Sequence, residues 1–205
     1  MTKVPLMDEQ ISDDFVILNF ELSDDDFTEL CADNRELLFE TTAQKELIIM
    51  SPPGPRTGRK NSILCTDLEI WARRDGRGIT FSPNTIFKLR NGARRGPDAS
   101  WLTNEQWNAL TPDQQDRLAA LCPEFVVELM SVSDKRPFRF RMVQAKMQEW
   151  IDNGVQLGWL IDPYKKRVYV YRPRRPVELL ENPATVSGEP VLPGFVFQIA
   201  QLWNS

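Results

Sequence analysis

The order of hydrophobic and polar residues along the chain predicts short β-strands that alternate with helices. Residues 125–130 form an almost unbroken apolar run with the length and β-branched composition of a buried central strand. Shorter apolar runs between turn-forming residues predict the other strands. These runs are 36–40 and 46–50 as one hairpin, 79–81, 85–89, an extended stretch over 96–102, 157–161 and 167–171 as a second hairpin, and short strands around 190–197.

Helices are predicted where apolar residues recur at the spacing of one helix face. Such stripes extend over 61–74 and over 139–153. Ser23 is placed to cap a short acidic helix, and Thr103 and Thr111 are placed as N-caps in a later region of helix and loop. The helices therefore separate groups of strands, as in an α/β fold.

This alternation predicts one α/β domain in which helices flank a single mixed central sheet. The domain is expected to cover residues 36–205, preceded by an acidic N-terminal segment over residues 1–35. A chain of 205 residues is long enough for one domain with a sizeable core. No run approaches the roughly 18 consecutive apolar residues that a membrane helix needs, so no membrane partner is expected.

Composition excludes several kinds of chemistry. The chain has 0 His, which removes histidine-based zinc sites, Ser-His-Asp and Cys-His catalysis, and any histidine general base. Cys31, Cys65 and Cys122 are widely spaced, which favours free thiols in a reducing cytosol over a disulfide framework. The N-terminus lacks the basic start and apolar run of a secretory signal, so a cytoplasmic location is expected.

The formal net charge of −4 conceals a polarised chain. Residues 1–50 hold 13 acidic against 3 basic residues, whereas residues 51–205 hold 16 acidic against 22 basic residues. Basic residues cluster over 56–60, 73–77, 88–95, 135–141 and 172–175. Such clusters are typical of contacts with nucleic-acid phosphates, although each cluster alone is equally typical of a solvated surface.

Glu128 is the most informative residue because it lies within the apolar run over 125–130. An ionised carboxylate there costs several kcal/mol unless it is paired, hydrogen-bonded or bound to a metal. The alternation of a strand could instead turn Glu128 toward solvent. Val126 and Met130 share its face, however, so that face is apolar and a functional role is favoured.

Asp98 and Lys146 are the next candidates. Asp98 follows Pro97 in the extended stretch, and by itself it is equally typical of a turn aspartate. Two carboxylates from separate strands, with room for water, would form a Mg²⁺ site, and oxygen ligation is nearly the only metal chemistry left to this chain. Lys146 lies at the edge of a helical apolar stripe, where it could present its ammonium to the carboxylates or remain a surface lysine.

Five ordered sequence blocks carry a resemblance to a known family. They are 46–52 (ELIIMSP), 97–101 (PDASW), 128–134 (ELMSVSD), 146–150 (KMQEW) and 153–163 (NGVQLGWLIDP). In these blocks the chain resembles the Uma2 family, also called DUF820, of the PD-(D/E)xK nuclease-like superfamily. The resemblance covers roughly residues 36–200. It implies a restriction-endonuclease-like core with an N-terminal hairpin, and Mg²⁺-dependent hydrolysis of phosphodiester bonds.

The resemblance also implies roles for individual residues. Asp98 and Glu128 match the two motif acids and would be metal ligands, with the main-chain carbonyl of Leu129 as a further oxygen ligand. Glu46 matches an acidic position in the first hairpin and would complete the site. The motif lysine would fall at Met130, so Lys146 on the following helix is its best substitute.

The resemblance also extends to the start of the first core helix. Asn61 stands where many members of the family carry histidine or asparagine, and an amide is a weaker proton acceptor than an imidazole.

The resulting expectation is an endonuclease that uses Mg²⁺ or Mn²⁺ to cut DNA, with a homodimer permitted by the resemblance. Two alternatives stay open. Met130 and the acidic first 50 residues favour a DNA-binding or assembly module that is derived from a nuclease and has lost catalysis. The second alternative is a hydrolase that uses a pair of carboxylates to act on glycosides without a metal.

Overall fold

The computed structural model describes residues 10–12, 15–83, 85–118 and 120–203. Its strands are β1 (Gln10–Ser12), β2 (Phe15–Asn19), β3 (Leu38–Thr41), β4 (Glu46–Met50), β5 (Gly78–Phe81), β6 (Phe87–Lys88), β7 (Arg94–Arg95), β8 (Ala99–Thr103), β9 (Phe125–Leu129), β10 (Leu157–Asp162), β11 (Arg167–Tyr171), β12 (Glu178–Glu181), β13 (Val186–Ser187) and β14 (Val196–Phe197). Its helices are α1 (Asp24–Asp33), α2 (Pro55–Asp75), α3 (Asn104–Asn108), α4 (Pro112–Gln115), α5 (Pro137–Asn153) and α6 (Ala200–Trp203), with a 3₁₀ turn over Ser133–Lys135.

Within the described residues the strands form two six-stranded sheets and one small two-stranded sheet. The first sheet has the order β1-β2-β4-β3-β7-β6, and the second has the order β12-β11-β10-β9-β8-β5. In the second sheet only β9 and β10 pair in parallel, so this sheet is mixed, as predicted. The prediction of a single sheet was wrong, because the pairing of β3 with the distant β7 leaves no trace in local periodicity.

The first sheet joins the N-terminal part of the chain to the predicted hairpin. Strands β3 and β4 form that hairpin, and β2, which was not predicted, pairs with β4 on its other side. Helix α1 begins after Ser23 with a reciprocal capping box to Asp26, as the sequence predicts. Phe27 of α1 packs against Phe39 and Leu47 of the hairpin, so α1 covers one face of the first sheet.

Helix α2 begins at Pro55, six residues before its predicted start. Proline is favoured in the first helical turn, where its missing N–H has no intrahelical partner. The proline-rich stretch therefore both ends β4 and starts α2. As a result, Asn61 lies in the second turn of the helix and is buried against the second sheet.

Strand β9 lies at the centre of the second sheet and is buried along its whole length. Phe125, Val127 and Leu129 pack on one side with Leu64 and Leu68 of α2. On the other side of β9, Val126 and Met130 pack in one cluster with Met147, Trp150 and Ile151 of α5. Glu128 shares this second face, so its predicted apolar surroundings are confirmed.

The three cysteines are free thiols that pack into the core, and Cys65 Sγ also donates to the Asp98 carbonyl at 3.4 Å. They are unpaired and half-buried, and each packs against a different core cluster. Burial raises the pKa of Cys65 to about 11 and that of Cys122 to about 12, so these thiols stay protonated at neutral pH. In the part of the chain that the structure describes, no helix combines the length and apolar character required to cross a bilayer.

Candidate active site

Asp98 and Glu128 are brought together by the pairing of β8 with β9. The Asp98 N–H donates to the carbonyl of Val127 at 2.9 Å, and Asp98 Oδ2 accepts from the N–H of Leu129 at 2.7 Å. The aspartate is therefore fixed to the two neighbours of Glu128. Both acids line one open cleft of about 1360 Å³ between the hairpin and the second sheet.

Glu128 is only 7% exposed and accepts hydrogen bonds on both carboxylate oxygens. Trp150 Nε1 donates to Oε1 at 3.0 Å, and Lys146 Nζ donates to Oε2 at 2.9 Å. Burial raises the pKa of Glu128 to about 8, and the charges of Asp98 and Glu40 act in the same direction against the opposing effect of Lys146. Burial and the neighbouring acids therefore outweigh the favourable charge of Lys146.

Lys146 extends from α5 toward the carboxylates, as one of the two sequence interpretations predicts. Its three ammonium hydrogens are all used, with Glu40 Oε1 at 2.7 Å, the Gly96 carbonyl at 2.8 Å and Glu128 Oε2 at 2.9 Å. Burial lowers the pKa of Lys146, but the charges of Glu128 and Glu40 raise it well above its usual value. Lys146 therefore stays charged and orients Glu128 rather than serving as a base.

Glu40 of β3 is a site residue that the sequence interpretation missed. Its Oε2 accepts from Arg95 Nη1 at 3.1 Å, and its Oε1 accepts from the Gly96 N–H at 3.0 Å. Burial raises the pKa of Glu40, but Lys146 and Arg95 outweigh burial and hold this pKa below its usual value. Arg95 Nε in turn donates to Glu149 at 2.6 Å, so the ion pairs continue to α5.

Glu46, the predicted acid of the same hairpin, lies elsewhere. Its carboxylate accepts from Thr42 Oγ1 at 3.0 Å near the hairpin turn, and the structure does not bring it to Asp98 or Glu128. It lines the same cleft, but Glu40 occupies the position beside Lys146. The signal that identifies Glu40 is a charged residue directly after Phe39 in an apolar strand, with Arg95 three residues before Asp98 to pair with it.

Asn61 holds the other side of Asp98. Its Nδ2 donates to Asp98 Oδ1 at 2.8 Å, while its Oδ1 is buried and has no hydrogen-bond partner in the described part of the chain. A buried acceptor without a partner costs about 1–3 kcal/mol. Asn61 also lines the cleft, so this oxygen lies in the wall of the candidate site.

The donor set fits a divalent cation. Asp98, Glu128, Glu40 and Glu149 oppose Lys146 and Arg95, so the group carries a formal charge of −2 when all four carboxylates are ionised. The described residues contain no group of three or more His, Cys, Asp or Glu arranged to hold a metal. A cation would thus rest on two carboxylates and otherwise on water, which is a coordination that Mg²⁺ accepts.

The predicted basic clusters divide into two kinds. Lys88 and Arg94, two residues of the cluster over 88–95, pair with Asp24 and so tie α1 to the first sheet. Other basic residues line the cleft beside the carboxylates, and these are Arg35, Arg56, Arg136 and Arg139.

The raised pKa of Glu128 predicts how stability depends on pH in metal-free buffer. The folded protein retains a proton that the unfolded chain releases near pH 4.5, so stability falls as pH rises from there through about 8. Lys146, Asp98 and Glu40 face the group, and only Lys146 opposes this effect. We expect Glu128→Gln to remove a slope of up to about 1.4 kcal/mol per pH unit. Urea unfolding of both proteins at pH 5, 6.5 and 8 measures this slope. An unfolding free energy that depends on pH equally in the two proteins would contradict the raised pKa of Glu128.

Comparisons with known proteins identify the family and the fold of the chain. The sequence profile of the Uma2 family, described as "Putative restriction endonuclease", matches residues 24–200. A comparison with curated proteins finds no match. The crystal structure of a protein from Anabaena variabilis, titled as a putative nuclease belonging to DUF820, superimposes with a TM-score of 0.70 at 20% identity, over 90% of this chain and 98% of that chain. This match confirms the restriction-endonuclease-like fold class, and the chain belongs to the Uma2 family.

Proposed function

We propose that this protein is an endonuclease that hydrolyses phosphodiester bonds in DNA with the aid of Mg²⁺ or Mn²⁺. The observation that carries the proposal is the pair of neighbouring acids, Asp98 and Glu128, at one cleft with the partnerless oxygen of Asn61 beside them. Two like charges in this environment are costly without a divalent ion. The family description supports a nuclease as the class of enzyme.

Asp98, Glu128 and the carbonyl of Leu129 would hold the cation. When bound, the cation supplies Lewis-acid chemistry, since it lowers the pKa of a bound water and neutralises charge on the phosphate. Lys146 fixes the orientation of the Glu128 carboxylate, and Trp150 fixes its other oxygen. These contacts hold the ligand in place before substrate arrives, which is the preorganisation that catalysis requires.

Other residues orient the reacting groups. Asn61 Nδ2 fixes Asp98, which leaves Asn61 Oδ1 to accept a hydrogen from a water molecule in the cleft. The arginines of the cleft would contact phosphates, because charge-assisted hydrogen bonds from guanidinium groups match phosphate oxygens well. We place this activity in the cytoplasm, where the unpaired thiols would stay reduced.

A binding module without catalysis is the second candidate. Met130 stands where the motif lysine is expected, and all three Lys146 hydrogens are engaged within the protein. A lysine that is saturated in this way orients a ligand but contacts no phosphate until one of these bonds breaks. This candidate predicts DNA binding without any cleavage.

An assay of plasmid cleavage separates the two functions. We expect the purified chain to nick or linearise plasmid DNA in buffers that contain Mg²⁺ or Mn²⁺, and to leave the plasmid intact in EDTA. An intact plasmid with either metal at every protein concentration would contradict the enzyme. Cleavage that persists in EDTA would contradict the metal-dependent mechanism.

A further inference from the structure

The cleft beside the carboxylates has two chemically different walls. The hairpin and the loop that follows it contribute apolar side chains, and these are Leu38, Met50, Pro52 and Pro53. Arg56, Arg136 and Arg139 line the same cleft. Pro52 and Pro53 are exposed, and Leu38 and Met50 are half-buried, so the apolar wall is accessible from solvent.

Val132 extends the apolar surface close to the acids. It follows Glu128 by four residues, lines the cleft, and at 62% is the most exposed large apolar side chain of the described residues. Two hydrogen bonds stabilise its turn, since Asp134 accepts from the Ser131 N–H at 2.7 Å and the Lys135 N–H donates to the Val132 carbonyl at 3.3 Å. The protein therefore holds an apolar side chain in solvent at the mouth of its charged site.

An intact DNA duplex offers few apolar groups that could pack against these side chains. Its bases are stacked inside, and near a scissile bond it presents mainly phosphates and sugars to a protein. An unpaired strand exposes the faces of its bases, and these pack on apolar and aromatic side chains while basic residues follow the backbone. An exposed apolar surface beside a charged site is typical of a ligand-binding groove.

We infer that the cleft binds an unpaired DNA strand in preference to an intact duplex. The bases lie against the hairpin wall and Val132, and the phosphates lie against Arg56 and Arg136 with one phosphate at the Asp98–Glu128 pair. The inference rests on the proposed function and narrows it to single strands, flaps and other DNA with unpaired bases.

Fluorescence anisotropy with three labelled DNAs tests the inference. The DNAs are a single strand of 16 nucleotides, the same sequence as a blunt duplex, and that duplex with an unpaired flap, each with Ca²⁺ in place of Mg²⁺. We expect the single strand and the flap to bind more tightly than the duplex. Equal or tighter binding of the blunt duplex would overturn the inference, and so would the absence of binding to all three DNAs.

Variants of the wall give the second arm of the test. Val132→Ser and Met50→Gln are each expected to weaken single-strand binding about 3- to 30-fold, as for the lost burial of one aliphatic side chain, and to leave duplex binding unchanged. Val196→Ser is the matched control, because Val196 is 50% exposed and does not line the cleft. Equal weakening of both DNAs by the two wall variants would overturn the inference.

These binding measurements do not require turnover. Single-strand preference without plasmid cleavage would support the inference and contradict the nuclease activity. Metal-dependent cleavage of duplex DNA together with equal affinity for all three DNAs would support the nuclease activity and contradict the inference. The two proposals can therefore fail separately.

Discussion

Asp98→Asn is expected to lower the rate of DNA cleavage by about 10²- to 10⁴-fold, since a Lewis-acid metal supplies several kcal/mol of transition-state stabilisation. The substitution keeps the size of the side chain and removes its charge. The carboxamide oxygen can still accept from the Leu129 N–H, and Asn61 can rotate its amide to accept from the new NH₂ group. The fold is therefore expected to survive while the metal ligand is lost.

Cleavage rates at saturating Mn²⁺, measured beside thermal unfolding, check this result. Asp152→Asn is the matched control, because Asp152 is an exposed residue of α5 whose carboxylate accepts only from Gln148 among the described contacts. The control should cut DNA at the wild-type rate. An Asp98→Asn protein that melts normally and also cuts at the wild-type rate would show that Asp98 is not part of the active site.

Lys146→Met is expected to destabilise the protein by about 3–5 kcal/mol, the usual cost of removing one partner from a buried ion pair. Methionine retains much of the apolar stem but leaves Glu128 and Glu40 without the cation that both contact. Glu40 keeps Arg95, so Glu128 bears most of the loss. The cost should be smaller at pH 5 than at pH 8, because a protonated Glu128 needs no counter-charge.

Denaturant unfolding at both pH values measures this cost. A second substitution, Glu128→Gln in the Lys146→Met background, should recover most of the lost stability at pH 8 because it removes the unpaired charge. Lys165→Met serves as the control, since Lys165 is exposed and is expected to change stability by less than about 0.5 kcal/mol. A loss that does not depend on pH, or a double variant as unstable as Lys146→Met, would contradict the role assigned to Lys146.

The sequence was sufficient to predict the parts of the site that lie on strongly patterned elements. Glu128 was found because a charge within a buried strand is costly, and Lys146 because a helical stripe placed it beside the sheet. Asp98 needed the family motif, since a lone aspartate after proline has many explanations. For Glu128 and Lys146, the local sequence pattern and the burial in the structure agree.

Glu40 and the early start of α2 show where local pattern fails. Glu40 reaches the site because β3 pairs with β7 and thereby meets Arg95, a contact between residues 55 positions apart. Long-range pairing of this kind depends on the whole sheet, whereas periodicity reports only near neighbours. A proline such as Pro55 is compatible both with the end of a strand and with the start of a helix. Tertiary packing decides between the two.

The central claim is that the Asp98–Glu128 pair binds a divalent ion, and calorimetric titration of Mn²⁺ into the DNA-free protein at pH 7.5 tests it most directly. We predict one saturable binding event for the wild type, and no binding event for Asp98→Asn under the same conditions. A wild-type protein that gives no saturable heat signal of either sign, or an Asp98→Asn variant that binds Mn²⁺ with unchanged affinity, would contradict the account.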